Sequence, residues 1–113
     1  YRDMVAAMKA VEGALEVSGH YSHFYREGAC LYITFAGIPK EPLCYYQDTW
    51  DAAMKATLQN NGSISHHHGV GFWRLQYLKE ELGSSGVRLL KSIKSALDPE
   101  GILNRGKLIG DGR

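Results

Sequence analysis

Two runs rich in aromatic and β-branched residues, His20 to Arg26 and Ala29 to Ala36, stand two residues apart, with Glu27-Gly28 between them. Glycine accepts the positive φ that a two-residue hairpin turn demands, so this spacing predicts an antiparallel hairpin. Strand alternation places Leu31, Ile33 and Phe35 on one face and Cys30, Tyr32 and Thr34 on the other. A two-residue loop pairs Arg26 with Ala29, Phe24 with Leu31 and His23 with Tyr32. That register gathers the large aliphatic side chains on one face, where burial selects them. Tyr32 and His23 then share the other, more polar face, and a three-residue loop would break the pairing.

Helical spacing accounts for most of the remaining chain. Asp3 is expected to cap a first helix carrying Met4, Met8, Val11 and Leu15, which Gly19 ends. After the Ile38-Pro39-Lys40-Glu41-Pro42 connection, a second helix presents Tyr46, Trp50, Met54, Thr57 and Leu58 on one face. Asn60-Asn61-Gly62 stops it, with Gly62 suited to the left-handed position beyond the cap. Ser63 to Ser65 is read as a short third strand. A helix with Leu75, Leu78 and Leu82 follows, and Ser84 or Ser85 caps a last helix carrying Val87, Leu90, Ile93 and Leu97. Asp98-Pro99 ends that helix, because proline disfavours helical geometry in the residue before it. This order predicts an α+β fold: a small antiparallel sheet with helices packed on one face, plus C-terminal helices. The sheet's other face carries too many aromatic and polar groups for free solvent and is expected to meet another domain.

Thirteen basic against twelve acidic residues in 113 leave a net charge of +1, without the basic face of a nucleic-acid module. The longest apolar stretch, Ala29 to Ile38, is about half of the ~20 residues a membrane helix needs. Surface scaling buries about two-thirds of the unfolded surface at this length, enough for one core and one domain. Cys30 and Cys44 have neither metal-type nor redox spacing and are read as thiols in a reducing compartment. A chain that starts Tyr1-Arg2-Asp3 already in a helical pattern reads as a piece of something longer.

The segment His66-His67-His68-Gly69-Val70-Gly71 admits three readings. It is a solvated loop, a metal site, or a catalytic or substrate-binding edge whose imidazoles move protons near neutral pH. Adjacent residues of a strand point to opposite sides, so three successive histidines need help to converge on an ion. His20 and His23 could supply it, which makes a His-rich metal-binding module the alternative from outside enzymology. Glycines at 69 and 71 favour the third reading, since they let a backbone approach a ligand closely.

Taken together, Gly28-Ala29-Cys30-Leu31-Tyr32, the stretch Ser63 to Gly71, then Arg74, Tyr77-Leu78, Leu90-Lys91-Ser92-Ile93-Lys94 and Asp98-Pro99 carry a resemblance. They resemble the C-terminal end of the alkyldihydroxyacetonephosphate synthase family, within the FAD-linked oxidase (vanillyl-alcohol oxidase-type) superfamily. The likeness covers about residues 18 to 109. It implies residues 1–113 as the C-terminal part of a cap, or substrate, domain, with a partner FAD-binding domain elsewhere in the parent chain. It also implies FAD as cofactor and a reaction that exchanges the acyl chain of an acyl-dihydroxyacetone phosphate for a fatty alcohol, without net oxidation. By resemblance Tyr32, His66, His67 and His68 line the pocket before the flavin, as acid/base groups or as groups that orient the substrate.

Such a reaction takes a proton from a carbon beside a carbonyl and gives one to a departing carboxylate, work that His and Tyr suit. The alternative for Tyr32 is a strand tyrosine packed on a neighbour. Arg74, one helical turn after the triplet, is a candidate for binding phosphate or a carboxylate, or else a surface arginine; His23 is a weaker substrate-binding candidate. The tail Leu103-Asn104-Arg105-Gly106-Lys107 resembles the Asn-Pro-Gly-Lys tail of FAD-linked 2-hydroxy-acid oxidases, which makes Asn104 and Lys107 candidate cofactor contacts. Arg105 stands in place of that proline, Thr34 where the synthases tend to carry a second Tyr, and Phe72 where they carry Lys. Two substrates therefore stay open, lipid-like or a small 2-hydroxy acid such as glycolate or D-lactate. Oligomeric state stays open between monomer and homodimer. The expected location is cytoplasmic in a bacterium; eukaryotic relatives are peroxisomal, but this chain ends Asp111-Gly112-Arg113. The fragment alone is expected to be inactive.

Overall fold

The computed structural model describes residues 1–109; the Asp111-Gly112-Arg113 end lies outside them. The elements run α1 (Arg2–Lys9), β1 (Ala14–Phe24), β2 (Ala29–Gly37), α2 (Pro42–Gln59) and α3 (Leu75–Leu97). The order is α+β, with one two-stranded antiparallel sheet among the described residues. Where the sequence reading expects one core, the backbone divides into two compact units, Tyr1–Asn60 and the residues from Asn61 onward.

In the first unit the hairpin forms, but three residues away from the expected register. His20 pairs with Tyr32, Tyr21 with Leu31, Gly19 with Ile33 and Val17 with Phe35. The turn has four residues, closed by the Tyr25 N–H donating to the Gly28 carbonyl at 2.7 Å. Gly28 is not among the glycines with positive φ. The reason for the shift is burial. In the expected register Val17 and Tyr21 would join the polar face, opposite Ile38 and Thr34. In the observed one they share a face with Phe35 and Leu31, and Val17 is buried. Phe24, expected inside, is instead 76% exposed.

The first helix is shorter than its apolar spacing suggests. Tyr1 holds the N-cap position, Asp3 lies in the first turn, and the helix stops at Lys9. The chain then turns through Gly13, whose φ is +90°. A Cβ there would lie 2.7 Å from the Pro39 Cα, so the crossing of these two backbones requires glycine. Leu15, placed in the helix by its spacing, lies in β1 and is exposed.

Helix α2 buries Tyr45, Thr49, Ala53, Met54 and Ala56, so its inward face is rotated by about one residue from the Tyr46–Trp50–Met54 stripe. Small residues at 49, 53 and 56 let α1 pack closely on it, and α1 buries Met8. Tyr45 reaches the sheet: its hydroxyl donates to the Ala36 carbonyl at 3.1 Å, and its ring meets Phe35 edge-on with centroids 6.1 Å apart. Tyr46 and Trp50 continue the aromatic contacts along the flank. Asn61, with φ +54°, takes the left-handed position expected of Gly62.

In the second unit Ser63 to Ser65 form no strand. Ile64, Tyr77 and Leu78 are its buried apolar side chains. The two helices expected between Leu75 and Leu97 are one helical stretch interrupted at Gly83, with φ 66° and ψ 172°. That backbone region is open to little but glycine. Substituting Gly83→Ala should cost about 1–2 kcal/mol of stability even though the site is open, as chemical unfolding would show. Leu82, Ile93 and Leu97, expected on inward faces, are exposed. No helix among the described residues is long and apolar enough to cross a membrane.

Candidate functional site

The candidate residues fall into two groups, one in each unit. The first is on the sheet face opposite the helices. Directly paired residues of antiparallel strands share a face, which here brings together Ser18 with Thr34, His20 with Tyr32 and Ser22 with Cys30. The His20 and Tyr32 rings stack at 5.0 Å with planes 4° apart. His23 reaches the same ring, its centroid 6.0 Å away.

That second approach depends on a bulge. Residues three apart on a regular strand point to opposite faces, so His20 and His23 could not both meet Tyr32. Between Ser22 and Phe24 the register shifts by one residue. His23 is the extra residue and takes φ +50°, which turns its side chain back to the Tyr32 face. The sequence-predicted proximity of His23 and Tyr32 is thus present, but through a bulge and not through direct pairing. His20 holds the position opposite Tyr32. Burial, helped by Cys30 and Tyr25, raises the Tyr32 phenol above its ordinary 10.0. Tyr32 is therefore a neutral proton donor at neutral pH.

The second group is the histidine loop. The chain bends through His66 to His68, so the alternation of a strand does not separate the three imidazoles. The Nδ1 atoms of His66 and His67 are 2.6 Å apart, a hydrogen bond in which one ring donates and the other accepts. His67 stands edge-on to both neighbours, with centroids 4.8 Å from His66 and 4.3 Å from His68. All three are exposed. With one proton held between the two Nδ1 atoms, the ring that donates keeps a free lone pair on its Nε2, and there the pair can take up a proton.

Braces that sequence reasoning missed hold this loop. Glu81 accepts hydrogen bonds from the Ser63 hydroxyl at 2.7 Å and the Ile64 N–H at 3.1 Å. The Ser65 hydroxyl and the Arg74 guanidinium both donate to the Gly69 carbonyl, at 2.9 and 3.1 Å. Arg74, predicted as a substrate contact, thus spends a donor on the loop itself. Gly69 and Gly71 have φ of +77° and +57°, which gives both glycines of the motif a conformational role. The only sequence signal for Glu81 was its charge at a helical position.

The tail is held at two points. Asp98, marked in the sequence only as a helix end, is buried and accepts from the Ile102 and Leu103 N–H groups at 3.1 and 3.0 Å. It also pairs with Lys94, whose ammonium donates to the Leu103 carbonyl at 2.6 Å. Further on, the Lys107 ammonium sits 5.3 Å over the Phe72 ring. Asn104, in the left-handed region at φ +46°, lies exposed between these anchors. The amide of Asn104 and the ammonium of Lys107 are donors that suit the carbonyl and phosphate oxygens of a flavin nucleotide.

The Lys94 hydrogen bond and the two backbone donors hold the Asp98 carboxyl below its ordinary 3.8, against the opposing effect of burial. A carboxylate depressed in the fold stabilises it above the unfolded pKa and loses that effect as pH falls through the folded value. Amide exchange at Ile102 and Leu103 should therefore be protected at neutral pH and lose protection below about pH 3.8, earlier than at residues within α2.

Comparison with known proteins shows the family. Residues 1–108 match the family model described as FAD linked oxidases, C-terminal domain. The chain belongs to that family. It is 38% identical over 92 residues to the alkyldihydroxyacetonephosphate synthase of Trypanosoma brucei brucei, covering 80% of this chain and 15% of that protein. With the alkyldihydroxyacetonephosphate synthase of Caenorhabditis elegans it shares 43% over 89 residues, 75% of this chain and 15% of that protein. A shorter match, 43% over 54 residues, is to the mitochondrial D-lactate dehydrogenase [cytochrome] of Arabidopsis thaliana, 48% of this chain and 10% of that protein. The chain thus spans under a fifth of the length of these relatives. FAD is the cofactor of the family to which it belongs, and the chain is related to FAD-linked enzymes.

Proposed function

We propose that this chain is the C-terminal, cap-domain part of an FAD-dependent enzyme that exchanges the acyl group of an acyl-dihydroxyacetone phosphate for a fatty alcohol, forming an ether lipid precursor. The observation that carries the reading is the pair of proton-handling groups. A phenol held neutral stands among imidazoles on one strand pair, and two imidazoles share a proton on a braced loop. The similarity to alkyldihydroxyacetonephosphate synthases over three-quarters or more of the chain supports the choice of reaction.

The proposed division of labour follows from protonation. His66 and His67 receive the proton removed from the carbon beside the substrate carbonyl, with His68 ordering His67 from its other side. Tyr32 donates to the oxygen of the departing acyl carboxylate, and His23 contacts the substrate. Arg74 holds the loop and offers its remaining donors to the phosphate. Asn104 and Lys107 hold the FAD, which when bound supplies an electron-accepting ring. The parent's FAD-binding domain would cover the apolar side chains exposed in the second unit, Leu89, Leu97 and Ile102 among them. Cys30 and Cys44 are free thiols, and the proposed location is cytoplasmic.

A second reading, an FAD-dependent oxidase or dehydrogenase of a 2-hydroxy acid, is favoured by the partial match to a D-lactate dehydrogenase. One experiment separates them. The purified full-length parent, reconstituted to one FAD per chain, is given acyl-dihydroxyacetone phosphate and a fatty alcohol, or D-lactate with an acceptor dye. Ether product without dye reduction is expected; dye reduction without ether product selects the second reading. A parent that cannot bind FAD, but keeps an ion after chelation unless His66 or His67 is replaced, would instead be a metal-binding protein.

A further inference from the structure

We infer that His20 is a positioning residue: its imidazole face, stacked on Tyr32, fixes the plane of the phenol ring and so the place from which its hydroxyl donates. The inference rests on the proposed donor role of Tyr32 and adds a residue to it. Tyr32 is on the sheet face that the two helices leave uncovered, so helix packing does not restrict its rotamer. What restricts it lies on the same face. His20 is directly opposite across the strand pair and nearly coplanar, with 5.0 Å between centroids and 4° between planes. Aromatic rings at this separation prefer an offset stack, and the cross-strand register admits that arrangement at one position. His23, turned back by the bulge and tilted by 30°, stands at 6.0 Å from the same ring.

Two imidazoles from one strand therefore converge on one phenol, and the bulge at His23 is what brings the second one there. The bulge places a non-glycine residue at positive φ, which costs free energy, and its visible result is the second ring on Tyr32. His20 is exposed, so burial of its own surface does not explain its position. Its face, and not a ring nitrogen, makes the contact, so the geometry assigns it alignment and leaves proton transfer to Tyr32.

The test uses the full-length flavoenzyme labelled with 3-fluorotyrosine, in which the resonance lost in Tyr32→Phe identifies Tyr32. His20→Ala should shift that resonance and lower kcat roughly 3- to 10-fold, with KM changed less than 2-fold and FAD occupancy unchanged. His20→Phe, which keeps the stacking face without any nitrogen, should restore both the resonance position and most of kcat. An unmoved resonance in His20→Ala would overturn the stack. Equal loss of kcat in His20→Ala and His20→Phe would overturn alignment in favour of a role for the nitrogen. Loss of activity in Tyr32→Phe with none in His20→Ala would overturn this proposal alone. Full activity in Tyr32→Phe would overturn the donor role of Tyr32 and the positioning of it together.

Discussion

Replacing Tyr32 by Phe in the full-length enzyme is expected to lower kcat by roughly 10²- to 10⁴-fold, the range for loss of a positioned general acid. KM and FAD content should change little, because the ring and its stack on His20 remain. The protonation state of the donor follows from the environment of the phenol. Burial, with Cys30 and Tyr25 nearby, raises it above 10.0, so the hydroxyl keeps its proton through the whole neutral range. The sign can be checked directly. A phenol raised in the fold contributes stability that is complete below about pH 10 and is lost as pH rises through the folded value. The Tyr32-dependent part of kcat should behave the same way, level from pH 6 to 9 and falling only beyond 10. A pH–rate profile in which Tyr32→Phe abolishes a limb between 6 and 9 would contradict a neutral donor.

Gly37→Ala should destabilise the first unit by about 3 kcal/mol or more. A Cβ at residue 37 would lie 2.5 Å from the Gly13 carbonyl oxygen and 2.6 Å from the Tyr45 ring. Neither neighbour can yield cheaply. The Gly13 carbonyl accepts from the Ile38 N–H at 2.8 Å, closing the junction between strand ends. Tyr45 is buried and its hydroxyl holds the Ala36 carbonyl, so moving the ring breaks the link from α2 to the sheet. Urea unfolding followed at Trp50, in a Trp73→Phe background, reads the effect on this unit. Gly28→Ala provides the contrast: nothing lies within 4 Å of a Cβ there, and the change should stay within about 0.5 kcal/mol. Equal effects at the two glycines would refute the packing argument.

Much of the fold was legible because its signals are local. The hairpin, the α2 boundaries near Pro42 and Asn60, the break at Gly83 and the stop at Asp98-Pro99 each depend on a few adjacent residues. The candidate site was legible as residue types and as a resemblance, in Tyr32 and the triplet with its glycines. Its construction was not. The bulge at His23, the grip of Glu81 on Ser63 and Ile64, and the anchoring of the tail by Asp98 link residues whose pairing no periodicity announces.

The sequence by itself determined the α+β class, the helix–hairpin–helix order of the first unit and the family, since propensity, turn chemistry and motif spacing act within short stretches. Tertiary structure decided which strand residues face each other, which side of α2 turns inward and where α1 stops. An amphipathic pattern specifies that a face is buried, but only the partner surface selects among registers one or more residues apart. Burying Val17 with Phe35 moved the hairpin by three residues, and with that shift His20, and not His23, came to stand opposite Tyr32.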